Sequence, residues 1–173
     1  MDLSLLDSGP AKFVLGVLIE SSYTIRLAAS ADRIEVATMR HELWPDGPIE
    51  EHLGEFDAVL ATGMSGTLPG ATFVAEDAQE TLIGFLDAGQ RSHADGCDTQ
   101  HPVGYVEGWY VREEWRNRGV GKSLILAAEK WARSLGCVEM ASDSLLDNHT
   151  SLAAHEALGY QVVDRCFHYR KAL

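Results

Sequence analysis

Basic charge is scarce in this sequence of 173 residues: 14 Lys and Arg stand against 26 Asp and Glu, a formal net charge of −12. A phosphate backbone needs a basic footprint, so the balance argues against a nucleic-acid-binding surface and suits a cationic partner. Cysteine is sparse too. Cys97, Cys137 and Cys166 are odd in number and too far apart for a zinc or redox pair. They read as reduced thiols of a cytoplasmic protein. No apolar run reaches the ~18 residues of a membrane span. The longest near-candidate, Phe13–Ile19, has Gly16 in its middle and acids upstream, poor features for a signal peptide. Repeats and low-complexity tracts are missing. The histidines lack metal-ligand spacing, so no metal is expected.

What remains is ordinary globular material, 46% hydrophobic and 23% charged, long enough for one domain with its own core. Residues 1–22 read as an extension of unknown role, with turn chemistry at Asp7–Pro10. The domain occupies 23–173. Strands are predicted at Thr24–Ala28, Thr72–Ala75, Thr81–Ala88, Val103–Val111 and Cys137–Ala141, with two more at Tyr160–Val163 and Cys166–Arg170. Helices are predicted at Ala31–His41 with Ser30 as cap, Ile49–Ala61, Gly119–Leu135 and Thr150–Leu158. Gly63–Gly70 reads as loop, and the long polar stretch Gly89–Pro102 as a candidate binding loop. The order implies an α/β fold, a mixed sheet with helices on its faces.

Charge is divided along the chain. From His41 to Gln90 there are ten acids and no Lys or Arg; from Arg112 to Arg133 there are six basic residues. Such a chain can hold a cation at one place and an anion at another. The best strand contains Glu107-Gly108, and a glycine inside a strand marks a bulge or a close backbone approach.

The anion site is specific enough to name. Val111 to Ser123 runs strand, loop, helix, and contains Arg116-Asn117-Arg118-Gly119-Val120-Gly121-Lys122-Ser123. A helix start offers unpaired N–H groups and a positive dipole end, which suit a phosphate. A Walker A loop would need glycine where Arg116 stands, and the dinucleotide fingerprint meets Leu124 at its third glycine. The remaining pattern, R-x-x-G-x-G, resembles the pyrophosphate loop of the GNAT superfamily of N-acetyltransferases. The strings Glu107-Gly108-Trp109-Tyr110-Val111, Glu139-Met140-Ala141-Ser142-Asp143 and His155-Glu156-Ala157-Leu158-Gly159-Tyr160, with Leu43-Trp44-Pro45 and Gly96-Cys97-Asp98 upstream, resemble the aminoglycoside 6′-N-acetyltransferases of that superfamily, from about Tyr23 to Lys171.

That resemblance implies a mixed, mostly antiparallel sheet flanked by helices. It implies acetyl-CoA as co-substrate and an aminoglycoside as acceptor, with a homodimer as the expected assembly. Trp109, Tyr110 and Val111 would meet the pantetheine arm. Asn117, Arg118, Gly119, Val120, Gly121 and Lys122 would cradle the pyrophosphate, and Asn148 would touch the cofactor. Trp44, Glu107, Asp143 and Asp164 would line the acceptor site. Gly47 and His93 fall near further acceptor positions, although both depart from the family's usual residues. An attacking amine must lose a proton, and Glu107 or Asp143 is the expected acceptor. His155 stands where many members of the superfamily carry a tyrosine that protonates the leaving thiolate; it reads either as that acid or as a packed helix histidine. Acetylation of another amine, a non-catalytic acyl-CoA-binding module and, more distantly, a P-loop nucleotide hydrolase are the competing readings.

Overall fold

The structure, a computed structural model, describes residues 23–172 and, ahead of them, only the backbone of two short paired strands, β1 (Phe13–Val14) and β2 (Val17–Leu18). The remainder of the predicted extension lies outside the described residues. Along the domain run β3 (Tyr23–Leu27), α1 (Arg33–Leu43), α2 (Ile49–Thr62), β4 (Met64–Ser65), β5 (Leu68–Asp77), β6 (Leu82–Arg91), β7 (Val103–Val111), α3 (Val120–Ser134), β8 (Glu139–Ser142) and α4 (His149–Ala157). The sheet order is β3-β5-β6-β7-β8, with β4 on β5. All pairings in it are antiparallel except β7 with β8. This is the mixed α/β sheet the sequence implies.

Alternation along the strands divides the core into two layers. On the back face, Phe73, Ile83, Leu86 and Val106 pack against Leu124, Ile125 and Ala128 of α3. On the front face, Val74 and Phe85 pack against Val36 and Met39 of α1 and Phe56 of α2. A buried ion pair ties this front layer to the sheet. Arg40 of α1 meets Asp87 of β6 through Nε (2.8 Å) and Nη2 (2.7 Å), and its Nη1 donates to the His52 carbonyl at 3.1 Å. Thr72 Oγ1 donates to the same carboxylate at 2.6 Å.

Three expectations are corrected. Ser30 does not cap α1: Ser30–Asp32 forms a 3-10 turn, and Asp32 accepts from the Ala29 N–H at 2.7 Å while pairing with Arg26. The Arg26 guanidinium holds the Asp32 carboxyl below the usual range, against the opposing effect of burial. Gly63–Gly70 is not all loop, because Met64–Ser65 folds back on Leu68–Pro69. Tyr160–Val163 and Cys166–Arg170 are not strands; residues 160–172 form no regular structure. An isolated two-strand ribbon is marginal in water. The tail lacks the burial that would offset this, with Phe167 75% and Tyr169 91% exposed.

Among the described residues, no helix is long and apolar enough to cross a membrane, and no cluster of His, Cys, Asp and Glu could hold a metal.

Candidate active site

The site begins with a register slip. Ala88 faces Val106 and Asp87 faces Gly108, so Glu107 is an extra residue on β7 without a partner. This is the bulge that Glu107-Gly108 predicted. A bulge breaks the alternation of faces. Tyr105, Glu107 and Gly108 therefore all look to the front, beyond the part covered by α1 and α2. Both glycines of this patch lie under a side chain. A Cβ on Gly108 would lie 2.3 Å from the Trp44 ring, and one on Gly89 would lie 2.9 Å from Glu107 Oε1. Trp44 thus rests on the strand at the bulge, backed by stacking on His52. The Glu107 side chain lies across β6.

There Glu107 meets a residue the sequence reading passed over. Arg91, at the end of β6, donates through Nε to Oε1 (3.0 Å) and through Nη2 to Oε2 (2.6 Å). Its guanidinium lies over the Tyr105 ring, 3.3 Å from the centroid. Asp143, one residue beyond β8, is close enough for its charge to act on both Arg91 and Tyr105. Burial, with Asp143 and Glu107 adding to it, pushes the Tyr105 hydroxyl up. Glu107, Asp143 and Trp44 are therefore brought to one face. The structure shows no such gathering for the other predicted acceptor residues. Gly47 receives a hydrogen bond from His41 at 3.1 Å and lies nearest to Glu51 and His52. His93 is exposed beside Asp95. Asp164 accepts from the Arg165 N–H at 2.6 Å in the exposed tail.

The same bulge ends the pairing with β8. The parallel ladder runs from Val103 with Glu139 to Val106 with Ser142 and stops there, while β7 continues to Val111. Trp109, Tyr110 and Val111 consequently have a strand edge that β8 does not cover. Such an edge can pair with an extended ligand, as an added strand would.

Below this edge lies the predicted anion loop. Arg116 donates to the Val111 carbonyl at 3.0 Å and so closes the turn instead of pointing outward. Asn117 (φ 60°) and Gly119 (φ 89°) are left-handed, and α3 starts at Val120. The first-turn N–H groups have no partner within the helix. Arg118, stacked over Trp115, and exposed Lys122 flank them. Gly121 has a reason besides anion approach: a Cβ there would sit 2.7 Å from the Trp109 ring, whose Nε1 is buried without a partner. Tyr23, also missed from sequence, holds Ser123 Oγ at 3.1 Å and borders Gly119.

His155 and Asn148 have local partners. Asn148 caps α4 by accepting from the Ser151 N–H at 3.0 Å. The Nδ1 of His155 lies 2.8 Å from the Ser151 carbonyl, which can only accept, so Nδ1 carries the proton. Nε2 lies 3.0 Å from Ser142 Oγ. The ring stands edge-on to both Trp109 and Tyr160. Burial pushes the Tyr160 hydroxyl well above its ordinary value. His155 is thus held between α4, Ser142 and two aromatic rings.

The chain therefore has a front face with Glu107 and Asp143, a strand edge that β8 leaves open and a helix start flanked by Arg118 and Lys122, all meeting at β7. The family model described as acetyltransferase (GNAT) matches residues 36–160. An aminoglycoside N(6′)-acetyltransferase type 1 from Klebsiella aerogenes is 38% identical over 157 residues, covering 90% of this chain and all of the relative. Its counterpart from Stenotrophomonas maltophilia is 37% identical, covering 90% and 97%. The solved structure of AAC(6′)-Iy with the bisubstrate analogue CoA-S-monomethyl-acetylneamine is 36% identical, with a TM-score of 0.78 over 87% of this chain and 99% of that one. The family-model match over most of the domain, with relatives 37% and 38% identical along nearly their whole length, leads to one assignment: the chain belongs to the acetyltransferase (GNAT) family.

Proposed function

We propose that this protein transfers the acetyl group of acetyl-CoA to the 6′-amine of aminoglycoside antibiotics, by direct attack within a ternary complex, and so confers resistance. The observation that carries this reading is the convergence at β7 of Glu107, Asp143 and Trp44 with the uncovered edge of Trp109–Val111. The names of the relatives, and the bisubstrate complex of AAC(6′)-Iy, support it.

The residues present fit acetyl-CoA. The first turn of α3, with Arg118 and Lys122, offers donors and positive charge to the pyrophosphate. The edge of β7 offers backbone groups to the pantetheine arm, and its N–H groups can polarise a carbonyl laid along it. When bound, the thioester supplies the activated acetyl group. On the acceptor side, an amine attacks only as the free base. Glu107, beside the bulge, takes its proton directly or through one water. Asp143 binds another ammonium of the drug, and Trp44 walls the site. Coenzyme A thiolate is a good enough leaving group to depart without a protein acid.

Thiol release from acetyl-CoA tests the reading, with tobramycin, a 6′-hydroxyl analogue and spermidine compared as acceptors. Turnover with tobramycin alone is expected; turnover with spermidine alone would move the activity to another amine. The cofactor site has its own test in Gly119→Val. The φ of 89° at Gly119 costs a β-branched residue about 1–3 kcal/mol, so the loop should open and acetyl-CoA affinity by calorimetry should fall about tenfold. Unchanged affinity would remove this loop from the pyrophosphate site.

We also propose that the protein works in the cytoplasm, where its thiols stay reduced, and as a homodimer. The tail supports the dimer: Val162, Val163, Phe167 and Tyr169 leave apolar side chains 52–91% exposed. Sedimentation at micromolar concentration decides it.

A further inference from the structure

We propose that Arg91 is an internal counter-ion that occupies Glu107 until an ammonium of the acceptor replaces it, and that it thereby sets acceptor affinity. The inference rests on the acceptor site described above and extends it.

Arg91 is the only Lys or Arg between His41 and Val111, a stretch otherwise rich in acids. A lone cation in such a stretch has many carboxylates within the fold to choose from. It sits on the one at the bulge and uses both of its oxygens. An acceptor ammonium aimed at Glu107 therefore arrives at a carboxylate whose two nearest lone pairs are taken by a positive group.

The two ion pairs of β6 differ in kind. Arg40 and Asp87 are 4% and 14% exposed, and Arg40 is fixed by further bonds to Thr72 and the His52 carbonyl. That pair is a strut. Arg91 and Glu107 are 42% and 32% exposed, and among the described residues the Arg91 side chain makes no other hydrogen bond. A pair so open to water is exchanged at little cost. The Tyr105 ring beneath the guanidinium supplies a resting surface on which it can shift, and Asp143 provides a second carboxylate within its field. After exchange, Arg91 still repels the remaining ammonium groups of a polycation. Its presence thus weakens binding of acceptors that carry several positive charges, a form of repulsive tuning.

The test compares Arg91→Gln and Arg91→Lys with the wild type, using tobramycin at several salt concentrations. Arg91→Gln should lower the KM for tobramycin about fivefold, the scale of a partly exposed ion pair. It should also steepen the rise of KM with salt, because the site becomes more negative by one charge. Arg91→Lys keeps the charge but not the two-point hold on Glu107, so it should keep the wild-type salt slope and show a KM between those of the wild type and Arg91→Gln. A KM for Arg91→Gln that is unchanged or raised would overturn the proposal. A fall in kcat at constant KM would overturn it too, and would make Arg91 a positioning residue for Glu107. If the wild type acetylates spermidine and not tobramycin, the drug reading fails by itself, and the same fall in KM is then expected for spermidine. A wild type silent with every amine overturns both.

Discussion

Glu107→Gln should lower kcat/KM for a 6′-amino drug by about 10²-fold or more, the usual worth of a positioned general base. The amide keeps the shape of the side chain over Gly89 but cannot take a proton. Acetyl-CoA affinity should stay at the wild-type value, because the edge of β7 and the first turn of α3 lie on the other side of the bulge. Stability should change little, since both members of the Arg91–Glu107 pair are partly exposed. The measurements are steady-state thiol release and calorimetric titration with acetyl-CoA. Asp143→Asn provides the contrast. It should raise the drug's KM more than it lowers kcat, as expected of a group that binds a second ammonium. Wild-type kcat/KM in Glu107→Gln would transfer the proton to another acceptor, with Asp143 the remaining carboxylate of the cluster.

Asp87→Ala should give the largest loss of stability. It leaves the Arg40 guanidinium buried without its charge partner, which costs about 3–5 kcal/mol. At this chain length the expected fall in Tm is on the order of 10 °C. Arg40→Met combined with Asp87→Leu should recover most of it, because an apolar pair of similar volume removes both desolvated charges. Thermal denaturation followed by circular dichroism reads both variants. A loss below about 1 kcal/mol for Asp87→Ala would mean that water reaches Arg40 and offsets the missing carboxylate. Asp87 also faces Gly108 across the bulge, so the single variant should loosen Trp44 and raise the drug's KM before it unfolds.

The central elements were legible because their signals are local. The nine residues from Val103 to Val111 are rich in β-branched and aromatic side chains, as strands are, and the glycine beside Glu107 marked the bulge. Leu124, Ala128 and Ala132 recur at helical spacing, and all are buried. Gly136 ends α3 with a positive φ, as a residue at that position commonly does. The C-terminal strands were misread because Tyr160–Val163 and Cys166–Arg170 have strand composition, while a strand also needs a partner edge. Ser30 was misread as a cap because local chemistry favoured it, whereas Arg26, six residues before Asp32, decided which side chain turned inward.

By itself the sequence determined the α/β class and the acetyltransferase resemblance, and it marked Arg116–Lys122, Glu107 and Asp143 as candidates. Both rest on short strings and local periodicity whose signals do not depend on distant neighbours. Tertiary structure alone decided what those groups touch. Arg91 lies 16 residues before Glu107 and reaches it only because β6 and β7 are antiparallel with one residue slipped. Arg40 lies 47 residues from Asp87, and Trp44 meets Gly108 only when α1 crosses the sheet. Gly121 reads as an anion-loop glycine in sequence, yet in the fold it also makes room for the Trp109 ring. Motifs record what a residue can do; strand register and helix packing choose its partner, because the energy of an ion pair or a ring contact depends on separations of a few ångströms between groups far apart in the chain.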